Sequence, residues 1–166
     1  MSDTPPLANT PLRSAAGIAV DPGITGAYAI FDAEDGALAY NTPVLTVTKS
    51  RKTMDLRTLH SHLVHYKGTP MILEEVSAMP QQGVVSMFNF GKNVGQWEML
   101  AAALEMPLYR VRPQVWKKEF GLLKKPKDAA LRIATELFQN FTAAKKKDVN
   151  RADALLIGEY ARRNLL

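Results

Sequence analysis

Gly17-Ile18-Ala19-Val20-Asp21-Pro22-Gly23-Ile24-Thr25-Gly26-Ala27-Tyr28-Ala29-Ile30 is the stretch on which the reading of this chain turns. A short apolar run ends in Asp21, a Pro-Gly turn follows, and a second apolar run leaves Gly26. The pattern predicts strand, turn, strand, with a carboxylate at the end of the first strand. Pro22 lacks an N–H, and Gly23 and Gly26 permit unusual backbone angles, so the turn leaves the face of Asp21 open to a metal ion or a phosphate. Asp is also a common turn residue. The rest of the chain decides between a hairpin and a site.

The same pattern returns once. Lys67-Gly68-Thr69-Pro70 closes a helical segment, Met71-Ile72-Leu73 predicts a short buried strand, and Glu74-Glu75 follows at once. If the two strands are neighbours, Asp21 and Glu74 stand side by side. Close carboxylates repel and raise each other's pKa unless a cation neutralises them. A divalent metal is the economical partner.

Working outward, Gly17 to Asp21, Gly26 to Phe31 and Ala37 to Thr48 predict an antiparallel meander, with Asp35-Gly36 as a hairpin signal. Lys49-Ser50-Arg51-Lys52 is expected to be a basic loop. Thr53 or Asp55 caps a helix running to about Tyr66, with Leu56, Leu59 and Leu63 on one face. His60, His62 and His65 lie there too, but residues two apart point to different sides of a helix, which argues against a metal site. After a loop from Ser77 to Gly83, a helix is expected from Val84 to Glu105. It carries Phe88, Phe90, Trp97 and Leu100, with Gly91 and Gly95 four apart. Phe88 and Phe90 are candidates to stack on unpaired bases, against core packing as the plainer role of these aromatics. Leu108 to Arg112 predicts a fifth strand, Asp128 to Phe141 an amphipathic helix, and Arg151 to Asn164 the last helix.

Composition narrows the chemistry. The chain has 166 residues, which suggests one domain able to bury a core. It has no cysteine, which excludes disulfides, thiolate zinc sites and thiol nucleophiles. With three histidines only, a metal is expected on oxygen ligands, which favours Mg²⁺ or Mn²⁺. No apolar run is long enough to span a membrane. Met1 to Ser14 lacks apolar periodicity and is expected to be a disordered tail, with the folded domain from 15 to 166. The tail has no apolar h-region and does not read as a secretory signal.

A formal charge of +5 points to an anionic partner, nucleic acid above all. From Arg110 to Arg132 the chain concentrates Arg110, Arg112, Lys117, Lys118, Lys124, Lys125, Lys127 and Arg132 around Trp116, against Glu119 and Asp128. That is a surface suited to phosphates; a solvated pair of helices is the plainer alternative. Near the C-terminus, Asp148-Val149-Asn150-Arg151-Ala152-Asp153 opens the last helix. Asn150 and Asp153 fit an N-cap with an acid three residues on. Asp153 can equally point into a site lined by Asp21 and Glu74.

Taken together, Ile18-Ala19-Val20-Asp21-Pro22-Gly23, Ile72-Leu73-Glu74, Phe88-Asn89-Phe90-Gly91, Gly95-Gln96-Trp97, Arg112-Pro113-Gln114-Val115-Trp116-Lys117-Lys118 and Asn150-Arg151-Ala152-Asp153-Ala154-Leu155-Leu156 resemble, in order, the RuvC-type Holliday junction resolvases of phages, bacteria and chloroplasts. The resemblance implies an α/β, ribonuclease-H-like fold, a mixed five-stranded sheet flanked by helices. It implies a homodimer making paired symmetric nicks in four-way junction DNA with Mg²⁺, in the cytoplasm of a bacterium or phage-infected cell or in an organelle.

Asp21, Glu74 and Asp153 match three of the family's four acidic ligands. In some relatives the fourth lies three residues before the last aspartate, where this chain has Asn150. In others an acidic residue or histidine lies four or five before, which selects Asp148; Asp148, expected in the charged loop Lys145-Lys146-Lys147-Asp148-Val149-Asn150 before the helix, is taken as the fourth ligand rather than Asn150. Lys127 resembles a lysine near the scissile phosphate. Lys117 and Lys118 match a basic pair facing DNA, and Arg112, Lys124 and Lys125 extend that surface. The wedge aromatic that some relatives carry three residues after the glutamate is replaced by Ser77, with Met79, Phe88 and Phe90 as substitutes. Two metal ions about 4 Å apart would bridge the scissile phosphate, with a lysine stabilising developing charge.

Two other readings are compatible with the residues. One is a junction-binding protein that does not cut, or a related nuclease acting on other branched DNA or RNA. The other is a sugar-kinase or actin-like ATPase, whose phosphate loop Asp21-Pro22-Gly23-Ile24-Thr25-Gly26 resembles. Those proteins need two such lobes, for which this chain is too short, so no nucleotide cofactor is expected.

Overall fold

The structure is a computed structural model that describes residues 14–49, 51–77, 83–143 and 148–166. The expected tail (Ser14 excepted), Met79 and Lys145 to Lys147 therefore lie outside the described residues. Among the described residues, seven strands and five α-helices follow one another as β1 (Ala15–Asp21), β2 (Ala27–Asp32), β3 (Ala37–Asn41), β4 (Val44–Thr48), β5 (Arg51–Met54), α1 (Leu56–Leu63), β6 (Met71–Glu74), α2 (Val84–Ala103), β7 (Leu108–Val111), α3 (Pro113–Glu119), α4 (Ala129–Leu137) and α5 (Val149–Asn164).

Five of the strands make one mixed sheet in the order β3-β2-β1-β6-β7. β1, β2 and β3 pair antiparallel, while β6 and β7 run parallel to β1. The alternation of side chains along each strand builds two cores. Ile18, Val20, Tyr28, Ile30, Met71 and Leu73 turn to one face and pack with Leu59 and Leu63 of α1 and with Trp97 and Leu100 of α2. Ala19, Ala27, Ala29, Phe31 and Ile72 turn to the other and meet Leu155, Leu156 and Ala161 of α5. A fully buried Leu or Ile stabilises by roughly 1.5–3 kcal/mol, so both faces contribute heavily. The alanines on the α5 side let that helix lie close to the sheet. Gly158 takes the Phe31 ring where a Cβ would collide with it, 2.9 Å from the nearest ring atom.

The expected third strand, Ala37 to Thr48, is two strands in two sheets. β3 ends after Asn41: the buried Thr42 makes one more bond in the β2–β3 register, its N–H to the Gly26 carbonyl at 2.9 Å, and Pro43 has no N–H to continue the ladder. β4 then pairs with β5 alone, so Lys49, expected in a basic loop, follows β4, and Arg51 and Lys52, expected there too, open β5 of a hairpin. The first helix starts where expected. Asp55 caps α1, accepting from the Thr58 N–H at 3.0 Å and the Thr58 hydroxyl at 2.7 Å. The basic stretch after β7 holds one short helix, α3, followed by turns at Gly121 and Lys124, both at positive φ. α4 ends at Leu137, earlier than the expected Phe141. Among the described residues no helix is long and apolar enough to cross a membrane.

Candidate active site

Two parallel neighbours deliver the first two carboxylates. Val20 of β1 pairs with Leu73 of β6, so Asp21 and Glu74 are the next residues on strands about 4.8 Å apart. Ala19 and Ile72 face α5, and the two-residue period carries Asp21 and Glu74 to that same face. α5 supplies Asp153 from its second turn. One strand pair and one helix thus bring the expected trio to one face, near enough to act on one another electrostatically.

Their electrostatics show the crowding. Burial is the main cause raising the Asp21 pKa well above its ordinary value, with Glu74 and Asp153 adding to it and Lys117 and Lys127 opposing. Asp153 is pushed up to about 7, chiefly by burial, with Lys117 opposing, Glu74 adding and Lys127 opposing. Glu74 is raised by burial against the Trp116 hydrogen bond and Lys117. Lys117 and Lys127 therefore sit within the field of the acids.

The turn between β1 and β2 is built for close approach. Gly23 lies at φ 133°, in a region that side chains avoid, and a Cβ on Gly26 would run into the Asp21 carbonyl oxygen. Phe90 of α2 lies over this turn, 3.8 Å from where a Gly23 Cβ would be. Phe90 is half-buried, whereas Phe88 is 72% exposed.

Three residues take roles that differ from expectation. Trp116 is fully buried rather than part of a basic surface, and its indole N–H donates to Glu74 Oε1 at 2.8 Å. It orients the carboxylate, and Lys117 lies over its ring at 5.2 Å. The one sequence signal for this was an aromatic next to Lys117. Asn150 does not cap the last helix, which begins one residue before it. Its side-chain amide donates to the Thr25 carbonyl and ties α5 to the β1–β2 turn. Asp148 does not lie in an open loop: it is 3% exposed, at the N-cap position of α5, and 3.0 Å from Arg151 Nη2.

Of the remaining basic candidates, Arg112, Lys118, Lys124, Lys125 and Lys127 are exposed, and Arg112 stands 3.8 Å from Glu75. The histidines do not converge. The His62 Nδ1 is hydrogen-bonded to the Tyr28 hydroxyl at 2.6 Å, and His60 and His65 are exposed.

The donor set suits Mg²⁺ in kind: hard carboxylate oxygens, each made costly as an anion by burial, and Asp21 and Asp153 by neighbouring acids as well. Among the described residues, no three acidic, histidine or cysteine side chains are gathered closely enough to hold a metal ion by themselves. Mg²⁺ keeps several waters and is commonly held by one or two carboxylates plus substrate phosphates, so a partly open set still fits it.

No family model and no curated protein matches the sequence. Solved structures do match its fold. Thermus thermophilus RuvC superposes with a TM-score of 0.55 at 12% identity, covering 89% of this chain and 95% of that one. The T. thermophilus RuvC in complex with Holliday junction substrate gives 0.58 at 16%, covering 89% and 96%. The yeast mitochondrial Holliday junction resolvase Ydc2 gives 0.55 at 16%, covering 90% and 78%. The fold is the expected one: α/β, RuvC-like, of the ribonuclease-H type.

Proposed function

We propose that this chain is a metal-dependent endonuclease that cuts four-way DNA junctions. The observation that carries this reading is the pairing of β1 with β6, which sets Asp21 beside Glu74 under Asp153 in a fold shared with RuvC. The RuvC structure bound to a Holliday junction supports junction DNA as the substrate class.

Asp21, Glu74 and Asp153 would hold Mg²⁺, or Mn²⁺ in its place. When bound, such an ion lowers the pKa of its water and neutralises charge on a phosphate. The chain's own residues do the rest. Trp116 fixes the Glu74 carboxylate through its N–H. Lys117 and Lys127 bring positive charge to the same face, where charge develops on a scissile phosphate. Gly23 and Gly26 let a backbone approach the Asp21 end of the sheet. Lys118, Arg112, Lys124 and Lys125 extend the basic surface along α3 and the turns after it, for the flanking phosphates. Asp148, paired with Arg151 through one carboxylate oxygen, is the candidate fourth ligand.

Two matching nicks ask for two matching sites, and therefore for a two-fold dimer. α2 offers the surface. Val84, Val85, Phe88 and Met99 are 83%, 75%, 72% and 66% exposed, and nothing lies within 4 Å of a Cβ placed on Gly91 or Gly95.

The test is cleavage of a labelled four-way junction with Mg²⁺ or with EDTA, beside duplex, flap and RNA–DNA hybrid controls. Symmetric, Mg²⁺-dependent cutting of the junction is expected. Asp21→Asn and Glu74→Gln should each abolish cutting while leaving junction binding within a few-fold, because binding rests on Lys and Arg. Binding without cutting by the unaltered protein would make it a junction-binding protein, and preference for flaps or hybrids would reassign the substrate.

A further inference from the structure

The β4–β5 hairpin is not used by the catalytic reading, and its position and charge are specific. Its base is anchored at the Asp21 end of the sheet. Thr42 is buried and bonded to Gly26, Asp55 donates its N–H to the Pro43 carbonyl at 2.9 Å, and Met54 is buried in the α1/α2 core. β3 ends two strands from β1, so the base lies about 10 Å from the Asp21 edge, and five residues of β4 span about 16 Å beyond it. From this base the hairpin is open to solvent. All five residues of β4 are exposed, as are Lys49, Arg51 and Lys52.

The hairpin is also of one sign. From Thr42 to Met54 there is no Asp or Glu. Among the described residues no carboxylate pairs with Lys49, Arg51 or Lys52, although ion pairs occupy Lys67, Arg110, Arg112, Arg151, Arg162 and Arg163. α3 follows β7, and its Trp116 and Lys117 reach Glu74, whereas the hairpin leaves from β3, at the opposite edge of the sheet from β7. Leu45 and Val47 add 51% and 54% exposed apolar side chains along the same arm.

We propose that this hairpin is a DNA-binding arm, in which Lys49, Arg51 and Lys52 grip backbone phosphates on the side of the catalytic edge away from α3. This rests on the nuclease reading above and adds a second contact surface to it. Basic residues on an exposed strand also discourage pairing with another chain, but that role involves no DNA and would leave DNA binding untouched.

The experiment compares junction binding by the full chain, in EDTA, across a range of salt. Each duplex phosphate contact contributes about 0.9 to the slope of log K against log salt. The Lys49→Ala/Arg51→Ala/Lys52→Ala variant should lose about 2–3 units of slope and bind roughly tenfold more weakly or worse. The chain has no cysteine, so Lys49→Cys supplies a single thiol. Junction DNA should slow its reaction with a maleimide several-fold. It should not protect Glu34→Cys, in the β2–β3 turn at the other end of the sheet. If the unaltered protein binds no DNA, the nuclease reading fails. If it binds, and the triple variant keeps the full slope with Lys49→Cys unprotected, the arm alone is overturned.

Discussion

At the scale of single residues, the acids at the sheet edge set the behaviour of the metal-free protein. Asp153 is held near 7 against an ordinary 3.8, so between those values the folded chain keeps a proton that the unfolded chain has lost. Stability from this group is present at low pH and is lost as pH rises through the window. Asp153→Asn mimics the protonated acid. In EDTA it should therefore gain in melting temperature over the unaltered protein at pH 8 and much less at pH 5, and Mg²⁺ should stabilise only the unaltered protein at pH 8. A constant difference across pH would show that Asp153 is not perturbed. Asn150 and Asp148 separate in the same way. Asn150→Asp sets an acceptor against the Thr25 carbonyl and should cost ~1–3 kcal/mol in urea unfolding without metal. Asp148→Asn removes the partner of Arg151, a largely buried pair, and should also destabilise. Nuclease activity of Asp148→Asn, measured where it is fully folded, then tells whether Asp148 also serves the site; abolished cutting there would make it a ligand.

At the scale of elements, α3 carries opposite duties on opposite faces. Trp116 is buried and holds Glu74; Lys118, two residues on, is exposed, and Lys117 lies half-buried across the indole. Lys117→Ala/Lys118→Ala should weaken junction binding and flatten its salt dependence by about two units of slope, one per lost phosphate contact. Lys127→Ala should lower the cutting rate more than affinity, since its charge reaches Asp21 and Asp153. Equal slopes for the double variant and the unaltered protein would place the pair away from DNA.

At the scale of the whole molecule, the two faces of the sheet are closed by helices, but α2 leaves part of its own surface uncovered. Apolar side chains and two open glycines on that surface suit a second copy of the helix. Sedimentation at micromolar concentration should give a dimer, and Phe88→Glu should shift it toward monomer without lowering thermal stability of the fold. A monomer at all concentrations, with and without DNA, would remove α2 as the interface.

What the sequence by itself determined is what short range dictates. An apolar run ending in a carboxylate is legible wherever it occurs, so Asp21 and Glu74 were readable as a pair, and Asp55 as a cap. The two-residue period then fixed which face each side chain takes. Other features needed the tertiary structure because their partners are distant in the chain. Trp116 reaches Glu74 across 42 positions and Asn150 reaches Thr25 across 125, and no local pattern encodes either meeting. The third strand broke at Thr42-Pro43 for a partly nonlocal reason: a proline can sit at a strand edge, and only the pairing of β4 with β5 shows that the chain leaves the main sheet there. The same break turned a basic loop into an arm at the catalytic edge. Asp148, readable as a charge near the site, is committed to Arg151 because the first turn of α5 buries it, and burial is a property of the packed chain.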